Sequence, residues 1–147
     1  MPVSDNEVQE RMDAFMQMCR QSGVRATHQR CEIFREVART EEHPDVETVY
    51  SRVRKRVPTV SLDTVYRTLA MLEEQGLVRR LGSLSGRARF DANADSHHHF
   101  VCTRCGLVRD FASEEMDDLP IPRQVRSWGN ISSVQVQIRG ICRDCRE

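Results

Sequence analysis

The sequence predicts an α+β chain. A helical first half closed by a two-stranded hairpin precedes a small α/β domain stapled by four cysteines. Three observations carry this reading. Apolar residues recur at helical spacing behind four capping residues between positions 4 and 76. Short strand-like runs replace that pattern from position 77 onward. Two Cys-x-x-Cys pairs, with 36 residues between them, stand in the last third of the chain.

The elements follow in order. Ser4, with Glu7 three residues on, is a capping-box signature. Val8, Met12, Phe15, Met16 and Cys19 continue it at helical spacing, and Gly23 ends the helix. Thr27 caps a second helix with Cys31, Phe34, Val37 and Ala38 on its inner side. His43-Pro44 makes a turn, because proline biases the preceding residue away from helix. Asp45 caps a third helix carrying Val46, Val49, Tyr50 and Val53, and Val57-Pro58 breaks it. Ser61 caps a fourth, SLDTVYRTLAMLEEQ, closed by Gly76. Its inner stripe is Leu62, Val65, Leu69 and Leu72. Asp63, Arg67 and Ala70 face away, flanked by Thr64 and Tyr66. LVRRL and RARFD then read as strands joined by the loop GSLSG. Helices followed by such a hairpin make a winged helix-turn-helix over residues 1–91.

ANADS, residues 92–96, reads as a hinge. In residues 97–147, HHFVC and LVRDF read as strands, and SVQVQIRGI alternates Val134, Val136 and Ile138. Pro120 and Pro122 leave room for only a short helix in SEEMDDLPIP. A domain of about fifty residues buries too little apolar surface to stand easily alone, and needs a staple or a partner subunit.

Bulk composition excludes some classes. The chain has 147 residues and no net charge, so charge alone points to no polyanionic partner. Lys55 is the only lysine; the other 21 cations are arginines. Arginine suits bidentate phosphate and guanine contacts, but an arginine-rich genome would give the same count. No long apolar run occurs, and the N-terminus MPVSDNEVQE is polar, which predicts a soluble, cytoplasmic protein with no membrane contact. Six cysteines in a reducing compartment then argue for metal or redox chemistry over disulfides.

The staple is Cys102, Cys105, Cys142 and Cys145, a set matching a closed, tetrahedral, all-sulfur structural zinc site. The rival reading is a redox dithiol, which would place Cys-x-x-Cys at the start of a helix; here each pair ends a strand. Cys19 and Cys31 lie on apolar helix faces and read as buried hydrophobes.

The stretch DSHHHFVCTRCG suggests a second site. On an extended strand His97 and His99 point to one side, and His98, Phe100 and Cys102 to the other. The histidine pair and the first knuckle therefore serve different metals. Asp91, Asp110 and His43 are further candidates by residue type, although an isolated Asp or His ordinarily faces solvent. Imidazole and carboxylate without sulfur favour Fe2+ or Mn2+ in five or six coordination over tetrahedral zinc.

Taken together, TVYRTLAMLEEQGLV, RFD, HHHFVCTRCG, LVRDF and the terminal CRDC resemble the ferric uptake regulator family of metal-dependent repressors, from about residue 10 to 146. The resemblance implies a DNA-binding winged-helix domain, a metal-binding dimerisation domain, a homodimer and a palindromic duplex operator. It implies one regulatory ion per chain on His43, Asp91, His97, His99 and Asp110, beside one structural zinc. Aspartate at both acidic positions resembles the peroxide-responsive branch, whose iron-uptake relatives tend to have glutamate there. For that branch the resemblance implies oxidation of His43 or His97 by peroxide at bound iron, which releases the DNA. Such a chain is consumed as a sensor and is not a turnover enzyme.

The resemblance also points to Tyr66 as a base contact, with Ser61, Asp63, Thr64 and Arg67 beside it and Arg87 and Arg89 on the backbone. Without it, Tyr66 would read as core and Arg67 as solvated. Two departures stand out. The last strand SSVQVQIRG lacks the histidine of a further family site, and the two prolines shorten or remodel the helix usual at the dimer interface. Alternative readings are an iron- or zinc-responsive uptake regulator on the same scaffold, a metallohydrolase built on the His-x-His, and a zinc-stapled adaptor without a regulatory metal.

Overall fold

The computed structural model describes residues 3–81, 87–93 and 97–146. The expected GSLSG loop and residues 94–96 of the expected hinge, Asp95 among them, lie outside the described residues. The chain divides into two compact units, Met1–Ala94 and Asp95–Glu147.

Four helices build the first unit: α1 (Asp5–Ser22), α2 (His28–Ala38), α3 (Val46–Arg54) and α4 (Leu62–Glu74). Each starts where a short polar side chain can accept from an otherwise orphaned backbone N–H. Ser4 accepts from Glu7, Thr27 from Arg30, Asp45 from Thr48 and Ser61 from Thr64. Ser4 and Glu7 complete the reciprocal capping box. Gly23 ends α1 in the left-handed region at φ 75°, a conformation that favours glycine.

The helices close on a core of Phe15, Ile33, Phe34, Val37, Val49, Val53, Val65, Leu69 and Leu72. Phe15 and Phe34 stack with ring centroids 5.3 Å apart. Two expected inner positions are corrected. Met16 is exposed and Met18 lies inside. Leu62, in the first turn of α4, is 44% exposed, while Thr68 is 3% exposed and takes the inner place. The fully buried Glu36 of α2 pairs with Arg39 at 2.8 Å and with Arg56 at 3.1 Å. Burying a carboxylate is tolerated only with such partners.

Strands β1 (Arg79–Leu81) and β2 (Arg89–Asp91) form the antiparallel wing, with Arg80 opposite Phe90. Phe90 is buried in the helical core, and so is Ala92, at the start of the expected hinge. On its other edge β2 meets the turn before α3: Asp45 bridges Arg89, and the Phe90 N–H donates to the Pro44 carbonyl at 3.0 Å.

The second unit is a three-stranded sheet in the order β4-β3-β5. β3 (His98–Cys102) runs antiparallel to β4 (Val108–Phe111) and parallel to β5 (Gln137–Gly140). Two single-turn helices, α5 (Glu114–Asp117) and α6 (Arg123–Arg126), flank Pro120 and Pro122 between β4 and β5, in keeping with the prolines. The expected long alternating strand is corrected: β5 begins only at Gln137, and Ile138 is 41% exposed. As an edge strand it pairs with β3 alone and buries neither face. Among the described residues of this unit, Val101 and Val108 are the buried aliphatics, beside Cys102, Cys142 and three histidines.

Candidate metal centres and the recognition helix

Local turns gather the four cysteines. Cys102 ends β3, and its chain reverses through Gly106, which sits at φ 79° and donates its N–H to the Cys102 carbonyl at 3.0 Å. The parallel register places Cys102 opposite Gly140, two residues before Cys142. One sulfur from each of Cys102, Cys105, Cys142 and Cys145 lies within 4.8 Å of the others, and Cys105 Sγ is 3.7 Å from Cys142 Sγ. These spacings are far beyond the roughly 2 Å of a disulfide bond.

The backbone favours charge on this cluster. The N–H groups of Cys105 and Cys142 donate to Cys102 Sγ at 3.5 and 3.3 Å. Those bonds pull the Cys102 thiol down to about 6. Hydrogen bonding with Cys142 and Cys105 pushes Cys145 up to about 12. Four crowded thiols thus resist losing all their protons together, and a divalent cation at their centre is what lets all four ionise. The donor set fits a structural zinc site of four thiolates.

The nitrogen and oxygen donors come from both units. In the first unit, His43 Nε2 lies 3.5 Å from Asp91 Oδ2, and both side chains are buried. His43 is the only non-glycine described residue with positive φ, at 56°. Such a backbone costs about 1–3 kcal/mol outside glycine, so neighbouring contacts must hold it. In the second unit, His97 and His99 share one face, with ring centroids 4.7 Å apart. Asp110, opposite His99 in the β3–β4 register, approaches His99 Nε2 at 3.2 Å and His97 Nε2 at 3.8 Å. His97, just before β3, His99 on β3 and Asp110 on β4 offer two imidazoles and a carboxylate that can chelate a first-row cation.

His98 has a different role. Its Nδ1 accepts the Val136 N–H at 3.0 Å, so Nε2 carries the proton and donates to Asp117 Oδ1 at 2.8 Å. Sequence reading missed Asp117 as its partner, because the two stand 19 positions apart with a helix start between them.

On the first unit, α4 presents Tyr66, 55% exposed, and Arg67, whose Nε lies 2.9 Å from Asp63 Oδ2 on the same open face. Arg87 is exposed beside Asp45 and Glu47. Arg89 is half-buried. Its Nε donates to the His43 carbonyl at 2.6 Å and its Nη2 to the Glu42 carbonyl. Burial pulls this guanidinium below its usual range, and Asp45 and Glu42 oppose that pull. The resemblance implies a DNA-backbone contact for Arg89; here the strand pairing with the Pro44 turn draws its side chain onto the Glu42 and His43 carbonyls.

Comparison with known proteins places the fold. The profile of the ferric uptake regulator family matches residues 21–139. The chain is similar to the peroxide-responsive repressor PerR of Staphylococcus epidermidis, 29% identical over 143 residues, covering 97% of this chain and 93% of that protein. Its fold resembles that of the Helicobacter pylori ferric uptake regulator, with TM-score 0.77 at 23% identity over 95% of this chain and 94% of the other. It is also similar to a zinc uptake regulator complexed with zinc and DNA, with TM-score 0.67 at 25% identity over 95% of each chain. The chain belongs to the ferric uptake regulator family, whose members are metal-responsive transcription regulators.

Proposed function

We propose that this protein is a metal-dependent repressor that binds duplex DNA as a homodimer and is released from it by hydrogen peroxide. The observation that carries the metal reading is the sulfur-free donor set: His43 with Asp91 in one unit, His97 and His99 with Asp110 in the other. One Fe2+ or Mn2+ ion held by all five would join the two units and favour the DNA-competent arrangement, so that metal and operator stabilise each other.

Bound Fe2+ would mediate a balanced exchange in which peroxide takes two electrons from an adjacent imidazole, one peroxide oxygen being added to the ring and the other leaving as water; Mn2+ would hold the site without that chemistry. The chain's own residues do the rest. Asp91 and Asp110 orient the imidazoles, and burial of His43 and His97 keeps bulk solvent away. An imidazole that has gained oxygen is a poorer donor, so the ion would be lost and the operator released. Similarity to a peroxide-responsive repressor over nearly the whole chain supports this reading over metal-level sensing.

Duplex DNA would meet α4, where Ser61, Asp63, Thr64, Tyr66 and Arg67 surround the exposed face, with Arg87 on the phosphate backbone. A two-fold dimer reads a palindrome. Gel-shift titration on a palindromic promoter fragment tests the proposal. Fe2+-loaded and Mn2+-loaded protein should both bind, and low peroxide should release only the iron form. Equal persistence of both forms would favour the metal-uptake alternative.

A further inference from the structure

We propose that Arg89 is a positioning residue for the regulatory metal: its guanidinium clamps the turn that presents His43 and locks that turn to the wing. The inference rests on the reading of His43 and Asp91 as ligands. It departs from the family-based expectation that Arg89 touches DNA.

The geometry has three parts. Arg89 and Asp91 are two apart on β2, so they leave the strand on the same side. Asp91 lies against the His43 imidazole, and Arg89 holds the His43 and Glu42 carbonyls. Phe90, between them, is buried in the helical core, so β2 cannot slide. The turn it grips needs gripping. His43 is left-handed at φ 56°, and Pro44 follows it, which disfavours the right-handed alternative. Glu42 is anchored from the other side by Arg52 of α3 at 2.6 Å. The result is one block in which His43, Asp91 and the wing move together. Metal capture then sets wing orientation through backbone bonds and needs no flexible relay. An arginine fork suits this task because its nitrogens reach two successive carbonyls in one plane, as lysine cannot.

The test compares R89Q and R89K with R20Q, an exposed arginine on α1 that meets only Gln17 among the described residues, and with H43A. Mn2+ affinity of the zinc-containing protein is measured by titration calorimetry, amide exchange is followed over residues 41–45, and DNA affinity is read at saturating Mn2+. R89Q should weaken Mn2+ binding about 10- to 100-fold, the usual loss when an outer-shell partner is removed, and R89K by less. R20Q should leave it unchanged. Exchange over 41–45 should quicken in both Arg89 variants, zinc content should hold, and saturating Mn2+ should restore DNA affinity. Wild-type Mn2+ affinity in R89Q, with DNA affinity lost at saturating metal, would make Arg89 a phosphate contact and overturn the proposal. Should R89Q fail to fold, R89K decides alone: weaker Mn2+ binding with an unchanged melting transition supports positioning, and wild-type affinity overturns it. If H43A binds Mn2+ as wild type does, the ligand reading falls and the proposal with it. If H43A loses the metal while the Arg89 variants keep it, only the proposal falls.

Discussion

Replacing Cys102 with serine should unfold the second unit and leave the first intact. Little else holds that unit together. Val101 and Val108, 7% and 8% exposed, are its buried aliphatics among the described residues. Each contributes about 1.5–3 kcal/mol. A structural zinc in a small domain contributes an apparent ~10–16 kcal/mol near neutral pH, several times either valine. Cys102 is the best-prepared ligand, with two backbone N–H groups aimed at its sulfur. The C102S variant should therefore lose its zinc by elemental analysis. Amide exchange should become fast across β3, β4 and β5, while α1 to α4 keep wild-type protection. A C19S control, outside the cluster, should change neither readout. Slow exchange in β3 without bound zinc would refute the reasoning, because the strands would then be held by something other than the metal.

Four further expectations concern the first unit. L69A removes a fully buried side chain from the inner face of α4; the loss of about 2–5 kcal/mol should lower its melting temperature by about 10 °C or more. A shift of only about a degree would show that α4 is not seated on that core. For Asp45, burial raises the carboxyl's pKa, but the hydrogen bond from Thr48 and the charge of Arg87 outweigh it and hold the group below its ordinary value. Its stabilisation is therefore full above the unfolded pKa of about 3.9 and is lost as pH falls through the lower folded value. The D45N variant keeps the cap without the charge. Chemical denaturation should show a stability gap from wild type at neutral pH that closes in strong acid; a gap unchanged down to acid would contradict this. R67A alters an 82% exposed side chain. It should leave melting unchanged but cost about 1–3 kcal/mol of DNA affinity; unaltered affinity would remove Arg67 from the interface. R87A should lower the salt dependence of binding by about one counterion, which affinity measured across a salt series would show.

Much of this fold is local, and local features are legible. Ser4, Thr27, Asp45 and Ser61 cap the helices expected of them, because a cap needs only its own first turn. The four cysteines announce themselves by spacing. His97 and His99 follow from the two-residue period of a strand. What sequence alone obscured depends on distant partners. Leu62 carries helical spacing but lies at the open start of α4, where the core no longer reaches, and Thr68 fills the inner position instead. The alternation of Val134, Val136 and Ile138 suggested a buried face, yet β5 is an edge strand paired only with β3. Asp117 reaches His98 across a loop and a helical turn. Arg89 looked like a wing cation until the pairing of β2 with the Pro44 turn brought the Glu42 and His43 carbonyls to it.

The most direct test of the sensing mechanism is tandem mass spectrometry of peptides from anaerobically prepared protein, loaded with Fe2+ or with Mn2+ and exposed to low peroxide. The expected result is one added oxygen on His43 or His97 in the iron form alone. Unmodified histidines in protein that demonstrably held Fe2+ would contradict peroxide sensing and leave a regulator of metal level.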